Sequence, residues 1–171
     1  MRLLLLLVVP TLFSVYTADD YVISDDYSVR FSTKKAEGTF SGMTGTVRFS
    51  SEDLTGSFFD VSVATASIET GNKTKDKHAR GSAWLNAEDH PRIRFLSESF
   101  AATDTGYLVR GRLSINGITR DEAISFAFED DVFNGIVSVA RDDYDLDGPF
   151  LFGGLVGDVV EVEIRVPVER E

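Results

Sequence analysis

A two-residue alternation of apolar and polar side chains recurs along nearly the whole chain and constrains the fold most strongly. Residues 160–168 carry Val or Ile at every even position, and the odd positions are Glu161, Glu163, Arg165 and Pro167. This period is typical of strands with one buried and one solvated face, whereas the helical period is nearly absent. The pattern therefore predicts an all-β protein.

The alternating runs predict eight strands, give or take one. Asn116-Gly117 separates two of them and tolerates the positive φ of a tight hairpin turn. The bounds of the strand at 132–140 are less clear, because Asn134-Gly135 could itself be a turn. Eight antiparallel strands with one apolar face each form either a sandwich or a closed barrel, and alternation does not choose between them. The predicted strands are 27–33, 39–50, 58–68, 92–100, 107–115, the return strand to about 128, 132–140 and 160–168.

The inward faces of these strands leave a second alternative open. Their side chains could line a ligand tunnel or pack against one another, and the 13 phenylalanines suffice to fill a modest interior. Periodicity alone favours the packed core. The inward residues in question are Phe31, Phe49, Val61, Phe95, Leu113, Phe126 and Ile164.

The N-terminal segment resembles a secretory signal peptide. Met1-Arg2 precedes an apolar run over residues 3–15, which is too short for a membrane-spanning helix of about 20 residues. We expect cleavage near Ala18, one domain over residues 19–171, a periplasmic or secreted location and no stable membrane insertion after signal removal. The absence of cysteine excludes a lipoprotein-type anchor and disulfide bonds.

The formal charge of −11 at pH 7 argues against a nucleic-acid partner or an anionic membrane surface, because both attract basic patches. It carries no information on oligomeric state, and a dimer remains one of the possibilities.

The segment "SIETGNKTKDKHARGSAWLNAEDHPRIRF" (67–95) contains both histidines and the only tryptophan, Trp84. Asn72 can cap a helix start and Gly81 can end it, so the sequence predicts a short helix over residues 73–80. Residues 86–90 can form a second helical turn, which Pro91 ends. We expect a polar, partly helical crossing between two strands.

This segment resembles the central signature of the YceI family, bacterial lipocalin-like polyisoprenoid-binding proteins. The stretches "GRLSINGITRDEAISF" (111–126), "ARDDYD" (140–145) and "VGDVVEVEI" (156–164) resemble further family motifs in the same order, so the resemblance covers about 21–168. The matching residues of the signature are Ser67, Ile68, Thr70, Gly71, Asn72, Asp76, His78, Pro91 and Phe95.

The resemblance implies an eight-stranded antiparallel lipocalin-like barrel with a short helical crossing. It implies a carrier that holds a polyprenyl or quinone-type lipid inside. We expect it to be non-catalytic, with no cofactor apart from the bound lipid and no metal. The ligand-binding residues would then be Phe31, Phe49, Val61, Trp84, Phe95, Leu113, Phe126 and Ile164, with Asn72, Asp76 and His78 as lid residues.

The residues also leave three alternatives to a simple carrier open. An enzyme could use Asp76 and His78 as an acid–base pair, although no nucleophile motif accompanies them. A metal site on Asp76, His78, Asp89 and His90 lacks zinc-type spacing, and the calcium-like loop 143–148 lacks a glutamate at its twelfth position. A ligand-free stress-response module would have a solid barrel.

Overall fold

The computed structural model describes residues 18–34, 36–146 and 158–171, and these contain ten strands and one α-helix. The predicted signal peptide lies almost entirely outside the described residues and stays a prediction. The elements are β1 (Asp19–Ile23), β2 (Ser28–Ser32), β3 (Glu37–Phe40), β4 (Thr44–Phe49), β5 (Phe58–Ala64), α1 (Lys73–Arg80), β6 (Arg92–Thr103), β7 (Gly106–Ile115), β8 (Ile118–Glu129), β9 (Val132–Ala140) and β10 (Val159–Arg170).

The strands form one closed antiparallel barrel. Each strand from β4 to β10 pairs with the next one along the chain, and α1 lies in the connection between β5 and β6. Strand β1 closes the ring by pairing with both β4 and β10. The β2–β3 hairpin also pairs with β10, at residues 161–165, whereas β1 pairs at 168–170. Strands β1 and β2 thus form one interrupted strand, as do β3 and β4, and the barrel has eight strand positions. The predicted fold class is confirmed.

The two interruptions lie side by side. One separates β1 from β2, and the other separates β3 from β4 at Gly42, whose φ of +67° favours glycine. The amide of Met43 donates a hydrogen bond of 2.9 Å to the Tyr27 hydroxyl, which links the two bends. The prediction of one strand over 39–50 was wrong at this bend, and β1 was not predicted.

Of the two Asn-Gly pairs considered as turns, one forms a hairpin turn and the other lies within a strand. Asn116 and Gly117 have φ of +50° and +76° and join β7 to β8, as predicted. Strand β9 passes straight through Asn134-Gly135, where Gly135 pairs with Phe126 and Ile164. The turn before β9 is Asp130-Asp131, with φ of +51° and +57°.

One end of the barrel is filled by an aromatic cluster. Phe49 lies at its centre with 1% of its surface exposed, and its ring contacts six others at centroid distances of 5.0–6.4 Å. Aromatic pairs favour such edge-on and offset geometries. We call this set the aromatic cluster: Tyr21, Phe49, Phe59, Phe100, Tyr107, Phe126, Phe128 and Phe133.

Candidate ligand cavity

The other end of the barrel encloses a cavity of about 950 Å³. Its walls are mostly Val, Ile, Leu and Phe side chains from the barrel strands, including Val162 and Ile164 of β10 and Val137 of β9. The β2–β3 hairpin supplies Phe31 and Phe40, whose rings contact each other at 5.5 Å. The barrel is therefore solid at one end and hollow at the other.

The cavity reaches the surface beside α1. Among the described lining residues, the exposed ones all lie in α1 or the turn after it: Lys75, Lys77, His78, Ser82 and Ala83. The remaining described lining residues are half-buried or buried. We call this set of five exposed residues the entrance.

Local hydrogen bonds hold α1 at the entrance. The Asn72 side-chain oxygen accepts from the amides of Thr74 and Lys75 at 3.0 and 3.1 Å, which satisfies the first turn as a helix cap does. At the other end of α1, the Arg80 guanidinium donates to the Ile68 carbonyl at 2.9 Å. The predicted helix bounds of 73–80 are confirmed.

Asp76 is the buried polar residue of α1, with 7% of its surface exposed. Its carboxylate accepts from the Thr70 hydroxyl at 2.6 Å and from the Thr70 amide at 2.8 Å. The hydroxyl bond is the main cause that lowers the pKa of Asp76 below its ordinary value, and it outweighs the opposing effect of burial. Asp76 thus ties the helix to the chain that follows β5, and its role as a lid residue stays a prediction.

His78 does not join Asp76. Its side chain is exposed at the entrance, and the described residues give its imidazole no hydrogen bond, whereas Asp76 is engaged by Thr70. Residues two apart on a helix do not face each other, which explains the separation. The acid–base pair that the enzyme alternative needs is therefore not assembled.

Six of the eight predicted ligand-binding residues line the cavity: Phe31, Val61, Trp84, Phe95, Leu113 and Ile164. Phe49 and Phe126 do not, because both belong to the aromatic cluster. Alternation identifies which side chains point inward, but it carries no information on their height along the barrel axis. Contact of the six with a ligand stays a prediction.

Sequence reasoning missed three basic residues of this site. Lys75 and Lys77 lie at the entrance, and Arg141 lies deeper, with 4% of its surface exposed and its guanidinium 5.4 Å from the centre of the Trp84 ring. That distance permits a cation–π interaction. The "ARDDYD" motif contains Arg141, but nothing in the sequence places it beside a residue 57 positions earlier.

The alternative metal site on Asp76, His78, Asp89 and His90 gains no support from the described residues. Within 18–34, 36–146 and 158–171, no group of three or more His, Asp or Glu side chains could hold a metal ion. The Asp89 carboxylate instead accepts a hydrogen bond of 3.0 Å from the side-chain amide of Asn86. The calcium-like loop 143–148 lies partly outside the described residues and is not tested.

Over the same described ranges, we find no helix that combines the length and the apolar character needed to span a bilayer.

Comparison with known proteins by sequence gives partial matches. A UPF0312 protein of Serratia proteamaculans is 34% identical over 83 residues, which are 48% of this chain and 43% of that protein. A UPF0312 protein of Pectobacterium atrosepticum is 30% identical over the same shares. The match thus spans less than half the length of either relative.

Solved structures match over more of the chain. BcnA of Burkholderia cenocepacia has a TM-score of 0.75 at 21% identity, covering 84% of this chain and 96% of that one. A YceI protein of Campylobacter jejuni has a TM-score of 0.66 at 19% identity, covering 81% and 86%. A domain of Saccharophagus degradans described as polyisoprenoid-binding and implicated in plant cell wall breakdown has a TM-score of 0.64 at 11% identity, covering 91% and 100%. These likenesses show a shared barrel fold.

A family model also bears on the chain as a whole. The model of the YceI-like domain matches residues 21–168, which span the barrel from β1 to β10, the cavity and α1. The chain therefore belongs to the YceI-like domain family.

Proposed function

We propose that this protein is a non-catalytic carrier, periplasmic or secreted, that takes up the tail of an isoprenoid lipid and shields it from water. Polyprenyl and quinone-type lipids are the candidate ligands. The observation that carries the proposal is the apolar cavity of about 950 Å³, with the aromatic cluster at the far end of the barrel and the entrance beside α1.

The chemistry of the cavity suits such a tail. A prenyl chain has no hydrogen-bonding groups, so it needs apolar walls and exclusion of water, and each Å² of apolar surface removed from water contributes about 25 cal/mol. The cavity volume lies near the upper end of the range of about 300–1,000 Å³ found for small-molecule sites. An elongated apolar ligand is therefore the best match.

The comparisons support the same class of ligand. The chain belongs to the YceI-like family, and one structural relative is described as a polyisoprenoid-binding domain. That description concerns the relative, and extending it to this chain is part of our proposal.

The two alternatives receive less support. An acid–base mechanism would need Asp76 and His78 to act on one proton, but the Asp76 carboxylate is buried against Thr70 and His78 is exposed. A ligand-free module would be expected to have a filled interior, whereas one end of this barrel is hollow.

Trp84 provides a direct test, because it is the only tryptophan in the chain and lines the cavity. We expect the C20 prenol geranylgeraniol to change its fluorescence saturably. Lipid extraction and mass spectrometry of protein purified from its native host should also yield an isoprenoid.

A blocked cavity provides the matched control. Val137 and Val162 are directly paired across β9 and β10, and both line the cavity. We expect the double variant Val137→Phe/Val162→Phe to keep the fold and lose geranylgeraniol binding. A wild-type protein that yields no isoprenoid and binds none, or a blocked variant that binds as well as wild type, would contradict the carrier function.

A further inference from the structure

Three phenylalanine rings of the aromatic cluster lie where the cavity ends. Phe59 is on β5 and Phe126 is on β8, and on both strands the next inward residue lines the cavity. The rings of Phe59, Phe126 and Phe133 contact one another at centroid distances of 5.4–5.9 Å. The Phe49 ring contacts all three at 5.5–6.3 Å. We call these three rings the floor of the cavity.

The floor leaves no passage toward the solid end of the barrel. A hydrocarbon chain needs about 3.5–4.0 Å between its carbons and those of the wall on either side. Ring centroids less than 6 Å apart do not leave that space between them. A tail that enters beside α1 therefore has to end at the floor.

The volume above the floor limits how much tail can be enclosed. The cavity measures about 950 Å³. A water takes roughly 30 Å³ in the liquid, and a tail carbon with its hydrogens is of similar size, so C20, C30 and C40 tails need roughly 600, 900 and 1,200 Å³. The C20 and C30 tails fit within the cavity, whereas the C40 tail exceeds it.

We propose that the floor makes this protein selective for short isoprenoids, with tails of about four to six isoprene units. This inference rests on the proposed carrier function and specifies its ligand by tail length. A longer tail leaves part of its chain in water outside the entrance, and each isoprene unit left there lowers the affinity more than tenfold.

Gly135 is the position at which the floor can be raised. It is an inward residue of β9, between Phe133 of the floor and Val137 of the cavity wall. A Cβ atom at this position would lie 3.4 Å from Cγ2 of Ile124 and 3.8 Å from Cβ of Ile164, which are ordinary contact distances. Both isoleucines line the cavity, so a larger side chain here would extend into its inner end.

The test offers the protein neutral prenols that differ only in tail length. Phosphatidylcholine vesicles carry equal amounts of the C20, C30 and C40 prenols, and the protein is separated from them by size-exclusion chromatography. Mass spectrometry of its lipid extract then measures each bound prenol. We expect wild type to retain the C20 and C30 prenols at least tenfold over the C40 prenol.

Gly135→Leu should lower the ratio of bound C30 to bound C20 prenol about tenfold, because its side chain takes nearly the space of one isoprene unit. Ser138→Leu is the matched control. Ser138 is exposed on the outer face of the same strand, so this variant should keep the wild-type ratio. Phe126→Leu removes a floor ring and should raise the share of the C40 prenol.

Circular dichroism shows which variants are folded. Wild type that retains the C40 prenol as well as the C20 prenol would overturn the length limit, as would a folded Gly135→Leu with the wild-type ratio. If Gly135→Leu does not fold, an unchanged C40 share in Phe126→Leu would overturn it. Wild type that retains no prenol of any length would instead refute the carrier function itself, so the two failures are distinguishable.

Discussion

The two ends of the barrel share the same alternating pattern, yet one is solid and the other is hollow. At the solid end Phe49 contacts six rings, whereas at the hollow end Phe31 contacts one, that of Phe40, among the described residues. Phe49 is 1% exposed, and Phe31 is half-buried. Facing inward is therefore not the same as being packed.

Side-chain size along each strand accounts for the difference. On β5 the inward residues change from Phe59 to Val61 and Val63, and on β9 they change from Phe133 to Val137 and Val139. Because β5 and β9 run in the same direction in this antiparallel barrel, their aromatic residues lie at one end and their smaller aliphatic residues at the other. The smaller side chains leave the lumen open.

The largest expected effect is at the centre of the solid end. Phe49→Ala should lower the free energy of unfolding by about 3–5 kcal/mol, because it leaves a cavity among six rings. Phe31→Ala should cost less than half as much, since its ring already borders empty space. Urea denaturation measures both. Equal losses would show that the two ends are packed alike.

A pair of enlargements on one strand sharpens the comparison. Val162 and Val166 lie on the same face of β10, but Val162 lines the cavity and Val166 is 4% exposed beside Phe133. Val166→Phe should destabilise by about 1–3 kcal/mol through overpacking. Val162→Phe should change the free energy of unfolding by less than about 1 kcal/mol, because the hollow end can accept the ring. Thermal and urea denaturation measure both losses of stability. A larger loss in Val162→Phe than in Val166→Phe would contradict a hollow end around Val162.

A smaller effect is expected at the entrance of the hollow end. Asn72→Ala removes the cap of α1 and should cost about 1 kcal/mol, whereas Asn72→Ser keeps an oxygen acceptor and should cost less. Hydrogen exchange of α1 amides should rise in the alanine variant, and that of β9 and β10 at the solid end should not. A rise at both ends would indicate that the helix and the aromatic cluster unfold together.

The smallest effect concerns the Asp76 carboxylate. Its pKa is lowered in the folded state by the Thr70 hydroxyl, so its charge stabilises the fold above the ordinary pKa of 3.8, and this stabilisation is lost as the pH falls through the lower folded value. Asp76→Asn should therefore be less stable than wild type at neutral pH, with the difference shrinking in acid. Urea denaturation between pH 7 and 2 measures it. A difference that grows in acid would have the wrong sign.

Much of this architecture follows from local sequence. Alternation identified seven strand positions closely, Asn116-Gly117 predicted its turn, and Asn72 with Gly81 predicted both ends of α1. These features depend on neighbours a few residues apart, so the residues themselves contain the information. The resemblance to the YceI family supplied the closed barrel, which the pattern alone left open.

Other features depend on partners that are distant in sequence. Strand β1 was missed because Asp19 and Asp20 are poor strand formers, and it forms by pairing with β4 and β10. Its pairing closes the barrel at the aromatic end. Phe49 and Phe126 were expected at the ligand, but the register of these long-range pairs sets their height and places them in the aromatic cluster.

By itself, then, the sequence determined which side chains face inward and where the chain turns, since the pleat and the turn residues are local properties. Only the tertiary structure decided which inward side chains enclose a space and which fill it. It also brought Lys75, Lys77 and Arg141 together at the border of that space. The reason is physical: height along the barrel axis is set by strand register and barrel closure, which join residues far apart in the chain.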